Sequence, residues 1–313
     1  MANFRGMMLE PNMNIESDLS PTIPLKKYST ALDHFHLALH LPLQKFNSIW
    51  DAESSHFSFH FATKMVLHKK GLKFVTHRNE KMNGRIVKIS NVPFAKGGFR
   101  KVYNMTEGSA KLVAKESRHF VVYADRLRFH LETCRCHFQS DRYARAFNDS
   151  TSKIETVRIP QVSFLKTSIY RLKDGASPGG YKYLAVEPRL EGSYKKFNGN
   201  NGYVRPPPSV PFDRDVAGSE EDGAQTDVAQ AFSHFSFERS GGTEMVVDIQ
   251  GVATFYTDPQ LHSISSKYGR ADRGERGMED FFRTHVCNSF CRALRLKKIC
   301  IIAKDPDSFQ IKT

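Results

Sequence analysis

The stretch that decides the fold runs from Ala231 to Leu296 and reads AFSHFSFERSGGTEMVVDIQGVATFYTDPQLHSISSKYGRADRGERGMEDFFRTHVCNSFCRALRL. It contains oxygen ligands suited to a hard cation, a loop spaced by glycines, and a set of histidine and cysteine side chains. These groups are, in that order, Asp248, Gln250 and Asp258; Gly269, Gly274 and Gly277; and His285, Cys287 and Cys291. Their crowding into one stretch indicates that the earlier chain folds around it.

The oxygen ligands begin at the end of an apolar, β-branched run. On a continuous strand, a spacing of two residues places Asp248 and Gln250 on the same face. Asp258 follows in the sequence TDP, where Pro259 favours a turn and an exposed carboxylate. Two carboxylates and an amide suit Mg²⁺, which keeps several waters and bridges to phosphates. The residues alone leave open a second interpretation, with Asp258 as a turn former and Asp248 as a strand-end cap.

The histidine and cysteine set lies in a segment with helical apolar spacing. Cys287 and Cys291 are four residues apart, so they share one helical face and could grip one ion together with His285. A structural zinc site needs four ligands, so a fourth must come from elsewhere. His234 and His262 are the nearest candidates in sequence. The other interpretation is that both cysteines are small core residues.

Two glycine-containing segments could meet a phosphate group. The loop Gly269–Gly277 precedes a helical pattern, and such a loop can present backbone N–H groups to an anion. Gly97 and Gly98 lie between two strand patterns, and Lys115 ends the next strand, where its ammonium could contact phosphate. An ordinary hairpin and a surface lysine would give the same pattern.

The composition describes a basic chain without export or membrane signals. Lys and Arg number 46 and Asp and Glu 33 among 313 residues, which gives a net charge of +13 and suggests an acidic partner or a solvated basic surface. The five cysteines are odd in number and clustered, which favours a reducing compartment. The sequence offers no signal peptide and no apolar run long enough to span a membrane. We therefore expect a cytoplasmic protein.

The order of the patterns predicts an α+β protein with two lobes, because strands come first and helical segments later. Residues 1–30 lack periodicity and predict a flexible tail. The segment from Arg214 to Asp227 is acidic and rich in small residues, which predicts a mobile linker.

From about Arg85 to Leu296 the chain resembles the alpha-kinases, a family of atypical protein kinases. The segments that carry the resemblance are VPFAKGGFRKVY, LVAK, EPRLEGSYKKFNGNNGYV, AFSHFSFERSGG, VVDIQGV, YTDPQLHS, RGMEDFF and HVCNSFC. The catalytic core most resembles the elongation factor 2 kinase branch of the family. The HRD and DFG signatures of conventional protein kinases are missing. The resemblance implies a two-lobed atypical protein-kinase fold with an ATP cleft between the lobes and a zinc-stabilised C-lobe.

The resemblance also implies an activity, that of an ATP- and Mg²⁺-dependent protein serine/threonine kinase. Asp248 would be the catalytic aspartate that orients or deprotonates the substrate hydroxyl, and Gln250 and Asp258 would bind Mg²⁺. Lys115 would contact the phosphates, steadied by Glu132. The implied ATP-binding residues are Lys115, Glu187 at the hinge beside the adenine, Lys196 in the loop that reaches the phosphates, Gly97, Gly98, Gly269, Gly274 and Gly277. The zinc ligands would be His234, His285, Cys287 and Cys291, so that His234 takes the fourth place.

The resemblance divides the chain into segments. Residues 85–298 would form the kinase domain, with an N-lobe at about 85–186 and a C-lobe at about 187–298. Residues 31–84 would be an extension that packs on or regulates the kinase, and residues 299–313 a tail. Residues 31–77 are aromatic and basic, so a calmodulin-like regulator is a further hypothesis, although no motif matches. The expected partner is a protein substrate. Nucleic acid is not favoured, because the basic residues are dispersed, and no membrane partner is expected.

One loop departs from the family pattern. Asp272 and Arg273 stand where relatives often have Asn and then Leu. This change in charge puts in doubt how the loop meets its ligand. The alternative function is therefore a catalytically weak kinase-fold scaffold that binds nucleotide and a protein partner.

Overall fold

The computed structural model of the chain describes residues 56–67, 74–75, 84–118, 123–206, 218–304 and 308–312. The predicted tail, residues 1–30, lies outside them, as does most of the segment 31–77 considered for a regulator. The strands are β1 (Phe57–Leu67), β2 (Phe74–Val75), β3 (Gly84–Ser90), β4 (Ala95–Lys96), β5 (Arg100–Glu107), β6 (Ala110–Ser117), β7 (Ser163–Phe164), β8 (Ser168–Lys173), β9 (Tyr181–Pro188), β10 (Tyr194–Lys196), β11 (Glu244–Val247), β12 (Gln250–Val252), β13 (Phe255–Thr257), β14 (Gln260–Ser263), β15 (Cys300–Lys304) and β16 (Ser308–Lys312). The α-helices are α1 (Tyr123–Thr151), α2 (Gly218–Arg239), α3 (Gly274–Thr284) and α4 (Ser289–Ala293).

The N-terminal sheet closes on itself. Strands β1, β3, β5, β6, β9 and β8 pair antiparallel in that order, and β8 pairs back to β1. Alternate side chains fill the interior of the ring, since successive residues of a strand point to opposite faces. The buried set includes Ala62, Val87, Met105, Tyr170 and Leu184. Strand β1 lies within the predicted extension 31–84, and it closes the ring by pairing with β3 along one edge and with β8 along the other.

The C-terminal half is built on small sheets and helices. Strands β10, β12, β13 and β7 form one sheet, in which β13 and β7 are parallel, while β11 pairs with β14 and β15 with β16. Helix α1 reaches from the first half into this core. There Phe147 meets Phe232 and Phe235 edge to face, with ring centroids 5.5 and 5.4 Å apart. Such aromatic contacts add to the stabilisation from burial alone.

The predicted α+β class is confirmed, and one local expectation is wrong. Helix α2 already begins at Gly218, so most of the predicted linker from Arg214 to Asp227 is helical. Among the described residues, no helix has the length and apolar character that crossing a membrane requires.

Replacing Phe147 by Ala should lower the free energy of unfolding by about 3–5 kcal/mol, because the side chain is fully buried and would leave a cavity. Urea denaturation measures the change. Phe255→Ala is the matched control: its side chain is 53% exposed, so the loss should stay within about 1 kcal/mol. Equal losses from the two variants would contradict the assigned core.

Candidate active site and metal cluster

The turn between β11 and β12 presents Asp248. Strand β11 ends at Val247, Asp248 adopts a left-handed φ of 59°, and β12 starts at Gln250. The expected continuous strand is therefore interrupted, because Asp tolerates this conformation and ends the pairing. The two side chains still meet, since Gln250 Nε2 donates a hydrogen bond to Asp248 Oδ2 at 3.2 Å.

Asp248 is a buried carboxylate that lies beside a lysine. It is 6% exposed, and Lys196 of β10 forms an ion pair with its Oδ1. Burial raises the pKa of Asp248 above its ordinary value, and Lys196 opposes that rise. The carboxylate is thereby made more basic than a surface aspartate, and a half-exposed lysine lies beside it.

Lys115 of β6 joins the two halves of the site. Its ammonium lies 2.9 Å from Glu187 Oε2, 2.9 Å from Asp258 Oδ2 and 2.7 Å from Thr257 Oγ1. The side chain is almost fully buried, where an unpaired charge would be very costly. The expected support from Glu132 is not formed, because Glu132 pairs with Arg128 one helical turn away at 2.9 Å.

Glu187, near the end of β9, is held on several sides. His137 Nε2 lies 3.2 Å from Oε1, Thr167 donates to the same oxygen at 3.1 Å, and Thr257 donates to Oε2. Although burial acts in the opposite direction, Lys115 and His137 hold the pKa of Glu187 well below its usual range. The carboxylate therefore faces the ion-pair network, and its role beside an adenine stays a prediction. His137 was not among the site residues predicted from the sequence.

Asp258, the other acidic candidate, is enclosed by cations. It follows β13 with a left-handed φ of 51° and pairs with both Lys115 and Arg100. Burial opposes ionisation, but Arg100 and then Lys115 keep the pKa of Asp258 below its ordinary value. Arg100 also donates to Thr133 Oγ1 at 3.0 Å. Arg100 was not among the predicted site residues, although it follows Gly98 by two residues.

The glycines fall into two groups. Gly97 and Gly98 lie in the β4–β5 hairpin with open space around them, so a ligand could approach the backbone there. In the other loop, a Cβ atom at Gly269 would lie 2.1 Å from Glu132 Oε2, and one at Gly277 would lie 2.4 Å from the His262 ring. Those two positions serve close packing, and a phosphate role for Gly269, Gly274 and Gly277 stays a prediction.

The charge of Asp272, which departs from the family pattern, is satisfied by hydrogen bonds from its own loop and from the residues just before it. Its carboxylate accepts hydrogen bonds from Ser263 N at 2.8 Å and Ser263 Oγ at 2.6 Å. It also accepts from Tyr268 N at 3.1 Å and Gly274 N at 2.9 Å. Asp272 therefore shapes the loop rather than presenting charge to a ligand.

One face of the small sheet carries both polar and apolar rows. Because directly paired residues share a face, the registers of β10, β12 and β13 define a polar row and an apolar row. The polar row is Lys196, Gln250 and Thr257, and the apolar row is Tyr194, Val252 and Phe255. The two rows are two residues apart along each strand, roughly 7 Å. Tyr194 and Phe255 are each 53% exposed, so an apolar surface borders the polar site.

A second cluster brings together all four predicted metal ligands. The ligand atoms of His234, His285, Cys287 and Cys291 lie within 4.8 Å of one another. Cys287 Sγ is 3.8 Å from His234 Nδ1, and Cys291 Sγ is 3.7 Å from His285 Nε2. His262 lies elsewhere, with its ring bound to the Asn200 carbonyl and the Arg273 backbone.

The surroundings of this cluster fit a zinc ion. The remaining ring nitrogens face oxygen acceptors: His285 Nδ1 is 3.1 Å from Gln230 Oε1, and His234 Nε2 is 3.5 Å from Glu238. Such outer partners fix the tautomer and orient a ligating imidazole. Burial lowers the pKa of His234 to about 4 and of His285 to about 3, which keeps both rings neutral. Two histidines and two cysteines in this arrangement are a typical tetrahedral zinc set.

Comparison with known proteins gives a family match. The model of the Alpha-kinase family matches residues 95–291. Myosin heavy chain kinase C of Dictyostelium discoideum is 35% identical over 219 residues, covering 68% of this chain and 24% of that protein. Eukaryotic elongation factor 2 kinase of Homo sapiens is 29% identical over 237 residues, covering 73% and 29%. The chain thus spans about a quarter of the length of these relatives. The predicted special similarity to the elongation factor 2 kinase branch is not supported, because myosin heavy chain kinase C is at least as similar.

Solved structures show the same fold. The alpha-kinase domain of myosin heavy chain kinase A in complex with AMP matches with a TM-score of 0.60 at 23% identity, covering 77% of this chain and 100% of that one. The same domain in complex with ADP also gives a TM-score of 0.60. The predicted atypical kinase fold is confirmed.

Proposed function

The chain belongs to the alpha-kinase family, and from that premise we propose that it transfers the γ-phosphate of ATP to a serine or threonine hydroxyl of a protein. The observation that carries the proposal is the pair of carboxylates, Asp248 and Asp258, on the turns that flank the β12–β13 hairpin, opposite Lys115 and Arg100. A base, a metal-binding group and phosphate-binding cations are the components that phosphoryl transfer needs.

The nucleotide would lie along the sheet face described above. Lys115, Arg100 and Lys196 supply positive charge for the phosphates, and the open space beside Gly97 and Gly98 leaves room for the phosphate chain at the β4–β5 hairpin. The apolar row of Tyr194, Val252 and Phe255 offers the flat surface that a nucleobase needs. Solved structures of a related domain contain AMP and ADP, which supports a nucleotide as the ligand of this cleft.

Gln250 and Asp258 would hold Mg²⁺ in the complex. Their amide and carboxylate oxygens are the hard donors that this ion prefers, and both groups border the same face. When bound, Mg²⁺ neutralises charge on the β- and γ-phosphates.

Asp248 would receive the acceptor hydroxyl. The hydroxyl oxygen forms a bond to the γ-phosphorus while the bond from that phosphorus to the β–γ bridging oxygen breaks, and ADP leaves. The hydroxyl proton passes to the Asp248 carboxylate, whose raised pKa makes it a better acceptor. Lys196, half-exposed beside it, orients the carboxylate and screens the incoming phosphate.

The proposed zinc ion would be structural. With four protein ligands no position is left for substrate. The cluster joins α2 to α4 and the residues before it, so the ion would fasten the end of the domain to its core.

Asp248→Asn should lower the rate of phosphate transfer by about 10²–10⁴-fold, because an amide cannot accept the hydroxyl proton. Transfer to a general protein substrate, with sites read by mass spectrometry, measures this, and ATP affinity should change little. Asp141→Asn, on the surface of α1, is the control and should keep full activity. A wild-type chain that binds ATP but transfers no phosphate would instead favour the scaffold alternative.

Lys196→Met should move the acid limb of the kcat/KM profile to higher pH. The base must be ionised, so activity is lost as pH falls through the pKa of Asp248, which burial already raises. Lys196 lowers that pKa, and its removal raises it further. Because Lys196 also contacts the nucleotide in this proposal, the test is the pH at which the acid limb falls, and the absolute rate is not used. A limb that stays in place would contradict this pairing.

Protein purified without added zinc should contain about one zinc ion per chain. Cys291→Ala should remove the metal and lower the melting temperature, because the ion links separate elements. Cys134→Ala changes a buried cysteine outside the cluster and should retain the metal. Folded wild-type protein free of zinc would overturn the assignment.

A further inference from the structure

Arg273 connects two loops that flank the site. It immediately precedes Gly274, the first residue of α3, and its guanidinium is divided between two partners. Nη1 donates to the Asn200 carbonyl oxygen at 3.0 Å, and Nη2 pairs with Asp280 of α3 at 2.6 Å. A planar guanidinium can hold both groups at once, whereas a lysine ammonium is a single point charge.

The Asn200 carbonyl is held from two sides. His262 Nδ1 accepts a hydrogen bond from Arg273 N at 3.1 Å, so the ring proton is on Nε2, which donates to the Asn200 carbonyl at 3.0 Å. The ring is fully buried, and burial lowers the pKa of His262, in keeping with a neutral ring. The side chain of Arg273 therefore contacts Asn200 directly, and its backbone N–H acts on Asn200 through His262.

The segment that carries Asn200 leads directly to the catalytic aspartate. Asn198 Oδ1 accepts from Ile249 N at 2.9 Å, and Phe197 N donates to Ile249 O at 2.9 Å. Ile249 follows Asp248, and Lys196 pairs with Asp248 itself. Displacement of Asn200 would thus shift the positions of both Lys196 and Asp248.

The far side of the same segment is fixed to α3. Gly202 has a φ of +81°, and a Cβ atom there would lie 2.4 Å from the Asp280 carbonyl oxygen. Thr284 Oγ1 donates to Gly202 O at 2.7 Å. α3 holds one end of the segment and Ile249 the other, and the contact of Arg273 with Asn200 adds a direct link between the middle of the segment and the loop Gly269–Gly277.

We propose that Arg273 is a positioning residue that couples the conformation of the loop Gly269–Gly277 to the Lys196–Asp248 pair. The inference rests on the proposed function for its kinetic consequence. A phosphate or acceptor chain that engages this loop then changes the rate of transfer, and not only the strength of binding.

The test compares Arg273→Leu and Arg273→Lys with the wild-type chain. Arg273→Leu should lower kcat by about tenfold, as expected when a charge-assisted hydrogen bond is lost, while KM for ATP changes by less than about twofold. Arg273→Lys should restore part of kcat. Arg145→Leu removes an arginine that pairs with Asp141 on the exposed side of α1 and should match the wild type.

Hydrogen exchange gives a readout that does not depend on turnover. The amides of residues 197–203 should exchange faster in Arg273→Leu, and those in the core of the N-terminal sheet should not. If Arg273→Leu exchanges faster at these amides but the wild-type chain shows no kinase activity, the coupling is supported and the proposed function is rejected. Unchanged exchange together with unchanged kcat would overturn the role of Arg273, and a uniform rise in exchange would reduce it to general stability.

Discussion

The site depends on one buried ammonium group. Lys115 comes from the closed N-terminal sheet, and its two carboxylate partners come from the end of β9 and from the turn after β13. Removing both carboxylates would leave a buried charge without compensation, which is strongly destabilising. The same network therefore fixes how the first half of the chain meets the small sheet of the second half, and it gathers cations where a phosphate chain would enter.

Backbone conformation determines what the two aspartates can do. Both Asp248 and Asp258 have positive φ angles, as does Ala253 in the hairpin between them. Such conformations cost free energy and persist where the surroundings enforce them, commonly at functional sites. Here they terminate β11 and β13 and turn the carboxylates out of the ladder. Gly251 allows the intervening strand to pass very close to Phe255, since a Cβ atom there would lie 2.0 Å from the Phe255 carbonyl.

Short-range patterns in the sequence predicted many of the candidate site residues, whereas the remaining ones depend on contacts between distant parts of the chain. The spacing of Cys287 and Cys291 predicted a shared helical face, but α4 begins at Ser289, so Cys287 lies before the helix, although both side chains join the cluster. Only the resemblance chose His234, because no local rule shows which distant helix lies beside α4. The partner of Lys115 could not be derived either. Glu132 is nearer in sequence, yet Glu187 lies on the adjacent strand, in the register Val113 to Glu187. Arg100 and His137 were missed for the same reason, since their importance arises from burial beside Asp258 and Glu187. The helix from Gly218 was not predicted, because a composition rich in acidic and small residues does not by itself indicate a helix.

The two aspartates differ in their electrostatic surroundings, and this difference separates their roles. Burial dominates at Asp248, which pairs with a half-exposed lysine, and its pKa rises. Two cations dominate at Asp258, and its pKa falls. Environments that push two neighbouring carboxylates in opposite directions distinguish a proton acceptor from a permanently charged group. A permanently ionised Asp258 suits a metal ligand, and a more basic Asp248 suits the acceptor of a hydroxyl proton. Exchanging these roles would require cations to be removed from Asp258 and added beside Asp248, which the placement of Arg100 and Lys115 opposes.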